Sequence, residues 1–211
     1  MKQPCSGVIL AGGLSTRYGG ENKALLRVGG IRILDRLFAV YTELFKEIII
    51  VTNRPQEFLD WDALIVTDVF PVRSSLTGIH AGLFYARHPF AFFCACDTPF
   101  LKKEVVETVL DNLEPEVDLV IPQTAFGFEP LCAAYSQRCL KAAEEHIRQN
   151  KFKIQLALSE KRVKAIPEDI LRKKDPEFHS FFNINSPEDL ARAEQLASGV
   201  MKTEAAWTSP A

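Results

Sequence analysis

The sequence lacks most of the short patterns that would mark metal or redox chemistry. Its five cysteines, Cys5, Cys94, Cys96, Cys132 and Cys139, form no C-x-x-C pair, and an odd set cannot all pair internally. Cys94 and Cys96 fall inside an apolar run, where thiols behave as small hydrophobes. Buried thiols in a reducing compartment are the expectation. The four histidines, His80, His88, His146 and His179, show no H-E-x-x-H-like spacing. The formal net charge is −2, so no basic excess points to nucleic acid, and no acidic block points to a solvating tail. The opening MKQPCSGVIL has too short an apolar run for a signal peptide, and no stretch is long enough to span a bilayer. A soluble, cytoplasmic protein without nucleic-acid or membrane partners is expected.

What is present is a chain of 211 residues, 47% hydrophobic and 25% charged, enough for one domain with a substantial core. No repeat, low-complexity segment or long linker divides it. Short apolar runs alternate with helical patterns. GVILA (7–11), EIIIVTN (47–53), ALIVTD (63–68) and FAFFCACD (90–97) read as strands buried on both faces. DLVIP, LCAAYS and RVKAIP add later strands. Leu34, Leu37, Phe38, Tyr41, Leu44 and Phe45 recur at helical spacing, with Asp35 and Lys46 suited to the ends of that helix. Phe38, Tyr41 and Phe45 read as core, and Trp61 as cover for the loop between the second and third strands. Leu76 to Arg87 and Lys102 to Leu113 also read as helices, and SPEDLARAEQLA as a helix capped by Ser186 with Pro187 in its first position. The tail after Gly199 has no period and is expected to be disordered, leaving one domain over residues 1–198.

This alternation predicts an α/β fold: an open, mostly parallel sheet with helices on both faces. Ligands of such sheets bind outside the carboxyl ends of the strands. Gly12 and Gly13 follow the first strand there, Asn53 ends the second, Asp68 the third and Asp97 the fourth, while Asn183 and Asn185 follow the apolar pair Phe181-Phe182. Asn and Asp are ordinary turn residues at strand ends; their repetition around one rim is what points to a site.

The loop after the first strand carries the chemistry. In LAGGLSTRYGGENKALL (10–26), the glycines let backbone N–H groups approach an anion. Walker A is excluded, because Tyr18 stands five places after Gly13 and Lys23 is followed by Ala24. The dinucleotide pattern G-x-G-x-x-G is excluded because Gly12 and Gly13 are adjacent. Instead Arg17 and Lys23 straddle Gly19-Gly20, a planar fork and a mobile point charge for one anion. Asp97, a carboxylate at a strand end facing this loop, suits Mg²⁺ held jointly with substrate oxygens.

These residues also carry a resemblance. LAGGLSTRYGGENK is similar to the nucleotidyltransferase signature L-A-G-G-x-S-x-R-x-G-x-x-K, and its most similar branch is the molybdenum cofactor guanylyltransferases of the MobA type. The likeness continues, in the family's order, through VTNRPQE, DVFPVRSSLTGIHAGL, CACDTPFL, GFEPLCAAY and NINSPEDL, covering nearly the whole chain except the tail. The resemblance implies a three-layer Rossmann-like sheet of the nucleotide-diphospho-sugar transferase type. It also implies a reaction in which GTP and molybdopterin cofactor give the guanine dinucleotide form and pyrophosphate. By position, Leu10, Ala11 and Gly12, with Gly13 beside them, would contact GTP through backbone, Asn53 and Asp68 would hold the guanosine part, and Lys23 would bind phosphate. Asp97 would hold Mg²⁺, Arg17 would share the charge stabilisation, and Asn183 and Asn185 would lie toward the pterin or the metal. Cytidylyl-transferring relatives read L-A-A-G where this chain has Leu10-Ala11-Gly12-Gly13, so the glycine pair favours guanine over cytosine.

Two stretches depart from the family pattern. Ser74-Ser75 replaces a Gly-Pro before Leu76, and Asn150-Lys151-Phe152-Lys153 stands where relatives show Gly-x-Arg-Arg, which keeps positive charge but loses the bidentate fork. They keep open a non-catalytic nucleotide- or cofactor-binding module; the same chemistry with CTP, or with another phosphorylated acceptor, is the close alternative to guanylyl transfer. Handover of the cofactor from a delivery protein, or to an acceptor protein, fits such a reaction, though no residue marks it.

Overall fold

The apolar runs become the centre of a three-layer sandwich. The structure is a computed structural model that describes residues 3–12 and 22–207, with 200–207 as backbone. Eight strands form one sheet: β1 (Cys5–Leu10), β4 (Ile48–Val51), β5 (Leu64–Val66), β6 (Phe90–Ala95), β7 (Leu119–Thr124), β8 (Gly127–Phe128), β9 (Cys132–Ser136) and β10 (Val163–Ile166). Their order is β10-β7-β9-β6-β1-β4-β5, with β8 paired to β7. A separate hairpin joins β2 (Arg27–Val28) to β3 (Ile31–Arg32).

Successive residues of the inner strands point to opposite faces. Ile9, Ile48, Ile50, Phe90, Phe92 and Cys94 enter one core with helices α1 (Ile33–Leu44), α3 (Lys103–Asp111), α6 (Glu168–Arg172) and α7 (Pro187–Trp207). Val8, Ile49, Val51, Ala91 and Phe93 enter the other with α2 (Ser75–Tyr85), α4 (Cys139–Arg148) and α5 (Ile154–Ala157). Burial on both faces is why these strands read as continuous apolar runs. Phe45, just past the end of α1, stacks on Phe92, while Tyr41 packs tilted against the same ring and its Oη donates to the Val8 carbonyl at 3.1 Å. Trp61 is buried beneath the Arg32 guanidinium and donates from Nε1 to Asp35 at 3.2 Å. Cys94, Cys96, Cys132 and Cys139 are buried; desolvation pushes the Cys94 and Cys139 thiols up to about 12.

Two expectations, on the run 63–68 and on the tail, need correction, and one strand runs against the rest. The run 63–68 is not buried on both faces: β5 is the edge strand, paired to β4 alone, and Leu64 is 42% exposed. LCAAYS (131–136) forms β9 antiparallel to both β6 and β7, inserted into an otherwise parallel order. The final helix continues past Gly199 to Trp207, because Val200-Met201-Lys202-Thr203-Glu204-Ala205-Ala206 contains good helix formers. Its start matches the expected cap: Ser186 Oγ accepts from Asp189 N while Asp189 Oδ2 accepts from Ser186 N. At the other edge, Asp118 clasps β10. Burial alone would raise its carboxyl, but hydrogen bonds from Arg138 and Arg162 hold it well below the usual range.

Helix α2 lies close on the sheet through Gly82. A Cβ there would stand 2.5 Å from the Phe93 ring and 2.8 Å from Val8 Cγ1. Gly82→Ala gains about 1 kcal/mol of helix propensity and loses about 1–3 kcal/mol to overpacking between two fully buried side chains. We expect a net loss of up to about 2 kcal/mol in denaturant unfolding; a stabilised variant would show that the helix can lift without cost.

Candidate active site

The rim is built by register. Leu10 pairs with Val51 and with Ala95, and Val51 pairs with Val66, so β1, β4, β5 and β6 end in one row. Gly12, Asn53, Asp68 and Asp97 each stand two positions beyond that row. Loops leaving parallel strands at one level therefore deliver four sequence-distant residues to one edge.

A cavity of about 290 Å³ opens there. Among the described residues, Leu10, Ala11 and Gly12 form its floor with Val51, Ala95 and Cys96, while Lys23 and Asp97 stand on one side. Asp68, Arg73, Ser74 and Ser75 stand on the other. Across β6-β1-β4-β5, three strand spacings separate the Asp97 end from the Asp68 end, about 14 Å. Such a groove accommodates an elongated ligand with two chemically distinct ends.

At the Asp97 end, Lys23 Nζ lies 3.7 Å from Asp97 Oδ2. It donates to the Ile184 carbonyl at 2.8 Å and to Asn185 Oδ1 at 3.2 Å. Ile184 N in turn donates to the Asp97 carbonyl at 2.9 Å, and Thr98 Oγ1 donates to Asn183 Oδ1 at 3.0 Å. The segment 183–185 is thereby fastened beside Asp97, although nearly half the chain separates them. Burial raises the Asp97 carboxyl above its ordinary value, and the Lys23 ammonium opposes that rise. Asp97 offers one hard, partly desolvated oxygen donor, the protein contribution that Mg²⁺ needs when substrate oxygens complete its shell.

At the other end, Asn53 Nδ2 donates to Asp68 Oδ2 at 2.8 Å. Burial raises Asp68, while this bond and the Arg73 charge lower it. Ser74 caps α2: its Oγ accepts from Thr77 N at 3.1 Å, and Thr77 Oγ1 accepts from Ser74 N at 2.8 Å. The Ser74-Ser75 departure thus builds a helix start on the pocket wall. Lys151, Phe152 and Lys153 contribute nothing to the described lining; Lys151 Nζ donates to Gln149, and Phe152 packs on the α4 side. Gly13 and Arg17, with the rest of 13–21, lie outside the described residues.

Sequence reasoning passes over Asn22, Glu57 and Arg73. Asn22 Oδ1 accepts from Ala24 N at 3.1 Å, capping the short 3-10 turn Lys23–Leu25 that presents Lys23, and Asn22 Nδ2 donates to Glu57 Oε2 at 2.7 Å. Only the capping residue type, Asn directly before Lys23, was available as a signal. Asn22→Asp keeps the cap but sets two carboxylates at hydrogen-bond distance. It is expected to lower kcat/KM by about tenfold or more by displacing Lys23, and adding Glu57→Gln should restore activity. Equal rates in the single and double variants would disconnect this pair from Lys23.

One mostly parallel sheet with helices on both faces and a charged groove along its carboxyl rim defines a Rossmann-like α/β domain. Residues 7–163 match the family described as MobA-like NTP transferase domain. The chain is 45% identical over 189 residues to the molybdenum cofactor guanylyltransferase of Desulfosudis oleivorans, covering 90% of this chain and 94% of that one. It superposes on the molybdopterin-guanine dinucleotide biosynthesis protein A of Archaeoglobus fulgidus with a TM-score of 0.78 at 31% identity, covering 92% and 99% of the two chains. The 2-C-methyl-D-erythritol 4-phosphate cytidylyltransferase of Thermus thermophilus shares the fold alone, with a TM-score of 0.66 at 20% identity over 94% and 100%. The chain belongs to the MobA-like NTP transferase family.

Proposed function

We propose that this enzyme transfers GMP from GTP to molybdopterin cofactor, releasing pyrophosphate in a Mg²⁺-dependent reaction. The observation that carries the reading is the two-ended groove. One end pairs a cation with a metal-suited carboxylate, the other pairs Asn53 with Asp68, in a chain 45% identical to a protein named for this activity.

The residues divide the work. Backbone at Leu10, Ala11 and Gly12 lies along the nucleotide, and Asn53 with Asp68 receives the guanosine. A polar pair of this kind rejects a wrong base by leaving buried hydrogen-bonding groups unpaired. Lys23, with Arg17 six positions earlier in the sequence, steadies the phosphates. A terminal phosphate oxygen of the pterin attacks the α-phosphorus in line; the new P–O bond forms as the bond to pyrophosphate breaks. No protein nucleophile is needed, so positioning and charge stabilisation are the chain's contribution. Mg²⁺ bound at Asp97 would supply Lewis-acid polarisation of the phosphate oxygens. Asn183 and Asn185, fastened beside Asp97, lie toward the acceptor.

No helix among the described residues is long and apolar enough to cross a membrane, and buried thiols suit a reducing cytoplasm. Purified protein incubated with Mg²⁺, molybdenum cofactor and either radiolabelled GTP or CTP tests the reading by product separation. Label transfer from GTP is expected; transfer from CTP but not GTP would overturn it.

A further inference from the structure

Arg73 has no part in the roles above, and the family resemblance gives it none. It is exposed on the loop between β5 and α2 and lines the groove with Asp68 and Ser74. Strand order fixes which end it serves. Asp68 follows the edge strand β5, whereas the Lys23–Asp97 pair lies beyond β6, three strand spacings away. The charge of Arg73 acts on Asp68, while the charge acting on Asp97 is that of Lys23. Arg73 therefore stands at the nucleoside end.

The base edge that binds there must suit what the wall offers. An ionised Asp68 only accepts hydrogen bonds. Guanine presents two donors, N1–H and the 2-amino group, beside one acceptor, O6, so a carboxylate satisfies the donors and leaves O6 needing a donor. Asn53 spends one of its two amide hydrogens on Asp68, which leaves it a single donor, too few to meet O6 and N7 together. Arg is the side chain whose planar fork meets O6 and N7 of guanine, and Arg73 is on the same wall.

We propose that Arg73 reads the O6 edge of the guanine held against Asp68, making it a specificity-determining residue for 6-oxopurine nucleotides. This rests on the guanylyl reading and adds a donor to it. A cation used only for phosphate would help every nucleoside triphosphate alike; a reader of O6 helps only nucleotides that carry it.

The test compares wild type with Arg73→Gln on GTP, ITP and 2,6-diaminopurine riboside triphosphate, which carries an amine in place of O6. The variant is expected to lose about 10- to 100-fold in kcat/KM with GTP and with ITP. The diaminopurine nucleotide should change by less than about threefold, so the preference for O6 collapses. Equal losses on all three, or no loss on any, would overturn the proposal. Equilibrium titration of wild type with GTP and CTP, without acceptor, keeps the two readings apart. Preference for CTP overturns the guanylyl reading itself, and the Arg73 role with it. Selectivity for GTP that Arg73→Gln leaves unchanged overturns the Arg73 role alone.

Discussion

Asp97→Asn is expected to reduce nucleotidyl transfer by about a thousandfold, the several kcal/mol that a bound metal contributes to a charged transition state. The amide keeps the size and the hydrogen-bonding reach of the carboxylate but is a poor ligand for Mg²⁺. Stability should not fall with activity. Burial already disfavours the ionised carboxyl, and neutralising it leaves Lys23 its bonds to Ile184 and Asn185. We therefore expect a melting temperature equal to or above that of wild type, measured beside single-turnover rates at saturating GTP and Mg²⁺. Undiminished turnover would remove Asp97 from the metal site; lost turnover with a collapsed melting temperature would make its role structural.

Lys23→Gln is expected to show the opposite balance. Transfer should fall by about a hundred- to a thousandfold, as when one preorganised donor to a developing negative charge is deleted. Here stability should fall as well. The side chains of Lys23 and Asp97 are only 19% and 20% exposed, so deleting the cation strands a partly buried carboxylate at about 1–3 kcal/mol. That corresponds to a drop of roughly 2–12 °C for a chain of this length. Combining the two substitutions should recover much of the lost melting temperature and none of the activity, because the neutral amide no longer needs a counter-charge. Strict additivity in the melting temperatures would mean that the two groups do not interact in solution.

Much of the fold was legible because the inner strands are covered on both faces. Phe90 to Cys94 and Ile48 to Val51 feed two cores at once, which writes an unbroken apolar run into the sequence. The same property hides direction: Cys132 to Ser136 is as continuously buried as its neighbours, so nothing in its pattern marks β9 as antiparallel. The edge position of β5 was equally hidden, since Leu64 is apolar yet exposed. At the site, the strand-end residues were readable because each is a polar residue closing an apolar run. Asn22 with Glu57 was not, since their contact spans 35 positions and exists only after β4 has paired with β1. Arg73 was not, because a lone arginine in a loop looks like any solvated surface charge.

The fastening of residues 183–185 onto Lys23 and Asp97 has a consequence for how the chain may be shortened. The family match ends at residue 163, and a fragment cut there would keep every strand of the sheet except the edge strand β10. It would nonetheless lose the carbonyl and amide oxygens that hold Lys23, and with α7 the side chains of Ala193 and Ala197 that close one core. The Lys23–Asp97 pair of the first half is thus held in place by the last stretch of the polypeptide. A ribosome-bound or proteolysed chain that has formed the sheet has not yet formed the enzyme.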